Sequence, residues 1–340
     1  MRTLTLICIA VAAAALGAEA AAAPAAAPAY KAPRTVYGAP DLQGLWTNTA
    51  LTFLQRPPIF KALIATDKEE AMMIAGFKQM AGSIIDPKPV DPKSPAPPVV
   101  TEAPQADYLE MDIRLARING QPRTSWIVDP ADGKLPFNEA TKKARAEAAK
   151  APEDFANPEG RDTQERCLTA IGSPEGPPMM NTGFNGNSQI IQTKDYVAIH
   201  VEMNHDVRMI RMGDRIHQSA VLEPWLGDSV GWWEGDTLVV ETVNMNLKGH
   251  VYSLGGGFPY SPQTKITERF TRTAKDQILY EFSVDDPATF TKVWKAEMPM
   301  RAAKGPIYEY ACHEGNYSLP NILAGARLEE KAAPTAVASK

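Results

Sequence analysis

The chain has 340 residues, with 44% hydrophobic and 22% charged side chains, a balance that excludes a disordered or collagen-like polymer and suits one large domain or two smaller ones. Its 35 basic and 40 acidic residues leave a formal net charge of -5. That charge offers no electrostatic footprint for a phosphate backbone, so nucleic acid is not expected as a partner.

Residues 1–20 place one Arg before an apolar run from Leu4 to Leu16 and small residues ending Ala18-Glu19-Ala20, the form of a secretory signal peptide. The run is too short for a comfortable permanent span and Cys8 lies inside it, where lipidation does not occur. A periplasmic or secreted protein with no stable membrane anchor after cleavage is expected. Cys167 and Cys312 then remain, without C-x-x-C spacing, in an oxidising compartment, and a disulfide between them is predicted. Residues 21–36 are dominated by Ala and Pro and read as a disordered spacer, with folding from Tyr37.

A single mainly β domain is predicted over 37–331, with a disordered tail at 332–340. Its first part, 37–160, holds an N-terminal strand, helices and a Pro-rich wrap. Thr66-Asp67-Lys68-Glu69 has the capping-box pattern before Met72, Met73, Ile74, Phe77 and Met80, predicting a helix with a core-facing Met stripe. Seven prolines in 87–104 exclude a core element there. Residues 123–137 combine a short strand with the turn Asp129–Gly133, and Asn138 can cap a solvated helix running to Lys150.

In 161–331 the pattern becomes short strands divided by turns: near 188–192, 196–203, 207–212, 237–243, 265–273, 277–284, 292–300 and 306–312. Trp233–Val240 has the form of strand, hairpin turn, strand, and Gly255–Gly257 reads as a loop tip. Spacing this close favours an antiparallel meander that closes into a barrel, finished by a short helix from Leu319 to Lys331.

Gly44-Leu45-Trp46 resembles the G-x-W of the first strand of lipocalin-like (calycin) barrels, and Thr193-Lys194-Asp195-Tyr196 is similar to their T-D-Y turn with a Lys inserted. That resemblance implies a calycin-like barrel with a terminal helix. DLQGLWTN at 41–48, IVDPADGKLP at 127–136, ERCL at 165–168, GDSVGWWEGDTLVVET at 227–242 and IYEYACHEGNY at 307–317 resemble an uncharacterised family of exported bacterial proteins. It implies no activity and transfers no catalytic residue.

Chemistry is sought first among the histidines, all in the second half: His200, His205, His217, His250 and His313. On the strand 196–203, alternation puts Val197, Ile199, Val201 and Met203 on one face and Ala198, His200 and Glu202 on the other. A carboxylate beside an imidazole orients its tautomer and favours its charged form, as acid-base chemistry requires. The same face also reads as the wet outside of an antiparallel sheet, the commoner arrangement. Asn204-His205-Asp206 follows in a polar turn that could gather at a barrel mouth. Cys312-His313-Glu314 forms a second cluster, which a disulfide would hold rigidly. His200, Glu202, His205 and His313 are therefore the acid-base candidates, with Arg208 or Arg211 as an anion clamp and Trp232 and Trp233 as substrate-binding rings.

Gly227–Asp236 combines acids with two Trp rings and reads either as a sugar site or as tight turns flanking core aromatics; the hairpin pattern favours the latter. Glu268 shares a face with Ile266 and Phe270, so it would point inward and need Arg, Tyr or His as partner. No nucleophile elbow, phosphate loop or dinucleotide fingerprint is present, and no cofactor or metal is expected. The expected function is a cofactor-independent enzyme performing elimination, isomerisation or hydrolysis on a small organic molecule in a barrel cavity. The alternative is a non-catalytic carrier, its pocket lined by Trp46, Trp232, Trp233 and Trp294.

Overall fold

Alternation dictates the second half of the chain. In the run from Lys265 to Phe270, Ile266, Glu268 and Phe270 are buried while Lys265, Thr267 and Arg269 stay partly exposed; Ile278, Tyr280, Phe282 and Val284 repeat the pattern on the next strand. Period two sends one face of each strand to the core. The computed structural model describes residues 30–85, 113–150 and 154–332. Their strands are β1 (Gly44–Thr47), β2 (Arg117–Ile118), β3 (Gln121–Pro122), β4 (Ile127–Asp129), β5 (Asn187–Gln192), β6 (Tyr196–Val201), β7 (Val207–Met212), β8 (Asp228–Glu234), β9 (Thr237–Val243), β10 (His250–Ser253), β11 (Gly256–Pro259), β12 (Lys265–Ala274), β13 (Gln277–Asp285) and β14 (Trp294–Ala302). The helices are α1 (Asp67–Ile85), α2 (Glu139–Ala148), α3 (Cys312–Gly315) and α4 (Ser318–Ala332).

Nine strands close a barrel in the order β1-β5-β6-β7-β8-β9-β12-β13-β14, and β14 returns to β1 with Trp46 opposite Ala302. The same edge of β14 carries β4 at Lys295 and Ala296. Gly44-Leu45-Trp46 thus supplies the first barrel strand, and Thr193 closes the β5–β6 turn, its hydroxyl accepting from the Tyr196 amide. One pairing departs from the predicted antiparallel meander: β7 and β8 are parallel. A parallel neighbour needs a long return of the chain, and residues 213–227 provide it.

Two further expectations are corrected. Residues 306–312 are not a strand; none of them is buried, so no alternating face exists to join the sheet, and they lead irregularly into α3. Gly255–Gly257 is not simply a loop tip. Gly256 and Gly257 pair with Ser253 and Tyr252 in the β10–β11 hairpin, and only Leu254 and Gly255 turn. Gly255 has φ +86°, and a Cβ there would meet the Phe53 ring at 2.9 Å, so both backbone and space require glycine.

The core fills the barrel with Trp46, Ile199, Ile210, Val240, Phe270, Phe282 and Met298, joined by Phe258 and Trp294, whose rings meet edge-on at 5.4 Å. Full burial of each such side chain contributes about 1.5–3 kcal/mol. A smaller cluster lies outside, where Met73, Ile74 and Phe77 of α1 pack on Leu51, Phe60, Ala65 and Leu115. Met72 is exposed, so only part of the predicted stripe is core. The capping box forms as read: the Thr66 amide donates to Glu69 at 2.8 Å and the Glu69 amide to the Thr66 hydroxyl at 3.3 Å. Asn138 caps α2 by accepting from the Thr141 amide at 2.8 Å, and no residue of α2 is buried.

Cys167 and Cys312 form the predicted disulfide, tying the segment before β5 to the start of α3. Folded contacts begin before Tyr37, since Arg34 bridges Pro40 and pairs with Asp236. The signal-peptide reading, most of the spacer, the Pro-rich segment 87–104 and residues 333–340 lie outside the described residues.

Candidate active site at one end of the barrel

Inside the barrel the inward Glu268 has the partners its position demands. Arg208 donates Nη1 to Glu268 Oε1 at 2.9 Å and Nη2 to Oε2, while Nε reaches Ser229 Oγ at 3.2 Å and Nη2 reaches Thr242 Oγ1 at 2.9 Å. Tyr280 donates to Glu268 Oε1 at 2.8 Å and accepts from the Met179 amide at 2.8 Å. Burial and the Glu268 charge push the Tyr280 phenol well up. Arg208 is 2% exposed and Glu268 0%, so these charges hold each other and Arg208 is no free anion clamp. Met179 and Met180, from the loop before β5, are buried in the same core, and Tyr260 donates to Pro177 O at 2.8 Å.

Arg211 is equally committed, to both oxygens of Asp228 at 2.8 and 3.0 Å. Asp228 also takes His217 Nδ1 at 2.9 Å and the Gln218 amide at 2.8 Å, and His217 Nε2 lies 3.2 Å from Glu241 Oε1. Burial opposes ionisation of Asp228, but the Gln218 amide, Arg211 and His217 outweigh it and lower the carboxyl. This network straps residues 216–218 of the crossover to β8.

The predicted acid-base quartet does not converge. His200 stands on the outer face of β6, opposite Gln189 and Val207, with no hydrogen bond or ion pair among the described residues. The expected same-face pair with Glu202 fails because β6 ends at Val201 and Glu202 has helical angles, φ -63° and ψ -50°. Alternation therefore stops, and Glu202 turns inward to 0% exposure, accepting from Asn185 Nδ2 at 2.6 Å and Asn187 Nδ2 at 3.0 Å. His205 is exposed, its Nδ1 3.1 Å from Tyr310 O. His313 is exposed on α3 beside the disulfide. Trp232 faces outward beneath the Arg215 guanidinium, 3.9 Å from the ring centroid, whereas Trp46 and Trp294 belong to the core and the half-buried Trp233 packs against it. Among the described residues no three His, Cys, Asp or Glu side chains gather as a metal site.

A different titratable group does assemble. On β10, His250 and Tyr252 share a face by period two, with ring centroids 4.0 Å apart. Both meet Asp162: the Tyr252 hydroxyl donates to Oδ2 at 2.7 Å, and His250 Nε2 lies 3.3 Å from the same oxygen, an ion-pair distance without hydrogen-bond alignment. Asp162 Oδ1 accepts from the Gln164 amide at 2.9 Å. Burial opposes ionisation of Asp162, yet His250, the Gln164 amide and Tyr252 outweigh it and hold the carboxyl at about 2. Burial, then Asp162, raises the Tyr252 phenol.

These three residues line an open cleft of about 850 Å³ walled by 159–166, Ile171, Lys248, His250 and Tyr252. Of its three acids, Asp162 and Glu165 are engaged, the latter by Arg161 at 2.8 Å, and Glu159 is exposed at the wall. Lys248 and Arg166 line the cleft without an ion-pair partner among the described residues. His250 Nε2 is sealed from solvent, while Nδ1 has no protein partner among the described residues and is not sealed. Sequence reasoning passed over this site, although His250-Val251-Tyr252 between Gly249 and Gly255 carried an alternating strand signal.

The segments closing this barrel end are also backbone-strained. Of the non-glycine residues with positive φ, Cys167, Ser173, Asn185, Asn204 and His205 all lie here, and such residues concentrate at functional sites. Compared with known proteins, the chain matches no family model and no curated protein.

Proposed function

We propose that this chain is an exported, cofactor-independent acid-base enzyme acting on a small organic anion, with its reaction centre in the Asp162–His250–Tyr252 cleft rather than in the barrel cavity. The observation that carries the reading is one imidazole with its two nitrogens in different surroundings, Nε2 against a carboxylate and Nδ1 open, within a concave wall. Asp162, held ionised, favours the Nε2–H tautomer and leaves Nδ1 to take a proton. Its carboxylate then stabilises the imidazolium that forms. The 3.3 Å contact is loose, as such contacts often are before substrate closes the site. Tyr252 keeps its proton and spends it on Asp162, fixing the carboxylate. Arg166 and Lys248 supply the charge that would hold a substrate carboxylate. The paired cysteines support an oxidising compartment, and among the described residues no helix is long and apolar enough to cross a membrane.

The test is deuterium exchange at carbon in D2O, followed by proton NMR, across a panel of 2-oxo and 3-oxo carboxylates. Wild type is expected to exchange at least one of them, and His250→Ala to lose on the order of 100-fold or more. Equal exchange by both proteins throughout the panel sinks the assignment, and saturable binding without exchange favours the carrier.

A further inference from the structure

Between two pinned points, the Cys167–Cys312 disulfide and Asn181, the chain crosses the barrel end. Asn181 is held by Trp126 Nε1 at 2.8 Å and by the carbonyls of Ala50 and Thr52 at 2.9 and 3.1 Å. The crossing carries an acid that neither the barrel network nor the cleft employs. Glu175 is 3% exposed; one carboxyl oxygen accepts the Ala170 amide at 3.1 Å, and the other is sealed from solvent with no hydrogen-bond partner.

The titratable groups that act on it come from two other elements: Asp206, between β6 and β7, and Tyr260, after β11. Neither is a cation. Asp206 accepts from Asn204 Nδ2 at 3.1 Å and has His205 nearby, and beyond Tyr260 stand Arg208 and Glu268, already bound to each other. A carboxylate sealed here would face a second carboxylate with half its hydrogen-bonding capacity empty, the costliest kind of buried charge.

We infer that Glu175 is a proton-operated latch: protonated, it lets residues 168–178 lie closed on the barrel end, and ionised, it lifts them into water, while Met179 and Met180 stay in the core. Burial pushes the Glu175 carboxyl up to about 8, and Asp206 adds to the rise. The sign follows from linkage. A carboxyl raised on folding favours the closed loop fully below the ordinary carboxylate range, and that favour is lost as pH climbs through the raised value. Among the described residues, the loop is attached to the β10–β11 region by the Tyr252 amide to Ser173 Oγ at 3.0 Å and Tyr260 to Pro177 O, and at its start by the Leu168 and Thr169 amides to Thr163 O. Opening is therefore local and leaves the strands paired. Ile171 also walls the cleft, so opening would dismantle it; that regulatory consequence rests on the function proposed above.

The experiment reads the loop itself: hydrogen–deuterium exchange with mass spectrometry on the oxidised full chain at about pH 6.5 and pH 9, corrected for intrinsic exchange. Peptides from 168–178 are expected to open about tenfold more at the higher pH while β12 and β13 do not change, and Glu175→Gln is expected to abolish the difference. A pH response that persists in Glu175→Gln, or none in wild type, overturns the latch. If that variant does not fold, carbon-13 NMR of carboxyl-labelled glutamate in wild type decides: a carboxyl titrating near 8 in step with loop opening supports it, and titration of every glutamate in the ordinary range overturns it. Absence of carbon exchange by the cleft leaves this result untouched.

Discussion

The barrel interior and the cleft are built from the same three ingredients, a carboxylate, a nitrogen-bearing side chain and a tyrosine, yet they do opposite things. Around Glu268 every neighbour is a committed donor and the whole group is sealed, so the charges have nothing left to offer a ligand. Around Asp162 the side chains are about a quarter exposed and one imidazole nitrogen stays open. Pairing alone does not distinguish structure from chemistry; an unspent valence facing a concave surface does.

Removing one partner from the interior should produce the largest effect. Arg208→Met is expected to cost about 3–5 kcal/mol, because it strands a buried carboxylate, and joint replacement with Glu268→Leu should recover much of it. Urea unfolding of both variants checks this, and a double variant no better than the single one would break the contrast. Next comes Asp162→Asn. A carboxyl lowered from 3.8 to about 2 contributes on the order of 2 kcal/mol above the unfolded value, and that contribution disappears as pH falls through the folded one. The urea midpoints of wild type and variant should differ at neutral pH and merge near pH 2. The smallest effect is a matched pair: Tyr280→Phe leaves the Met179 amide and Glu268 short of a partner in the core and should cost about 1–3 kcal/mol, against about 0.5–1.5 for Tyr252→Phe, whose carboxylate is partly wet. Equal losses would show that the cleft is as closed as the core.

What sequence reading recovered was local or obligatory. The Thr66–Glu69 box and the Asn138 cap need only residues three apart. The Cys167–Cys312 pair followed from there being no other cysteine after Cys8, and inward Glu268 from period two with a partner of the foreseen type. Reading failed where a strand ended two residues early. Val201 closes β6, and one helical pair of angles at Glu202 was enough to dissolve the expected His200–Glu202 pair. The β10–β11 hairpin was missed because β11 opens on two glycines, the residue that usually marks a turn.

Alternation, capping and cysteine count by themselves determined a mainly β, disulfide-tied barrel with helices added outside, since each acts over a few residues or admits one solution. Only the closed structure decided which charges are spent and which remain open. Asp162 reaches Tyr252 across 90 positions and Arg208 reaches Glu268 across 60. Pairings of that span depend on how the barrel closes and which loops cross its end, and no local rule of spacing encodes them.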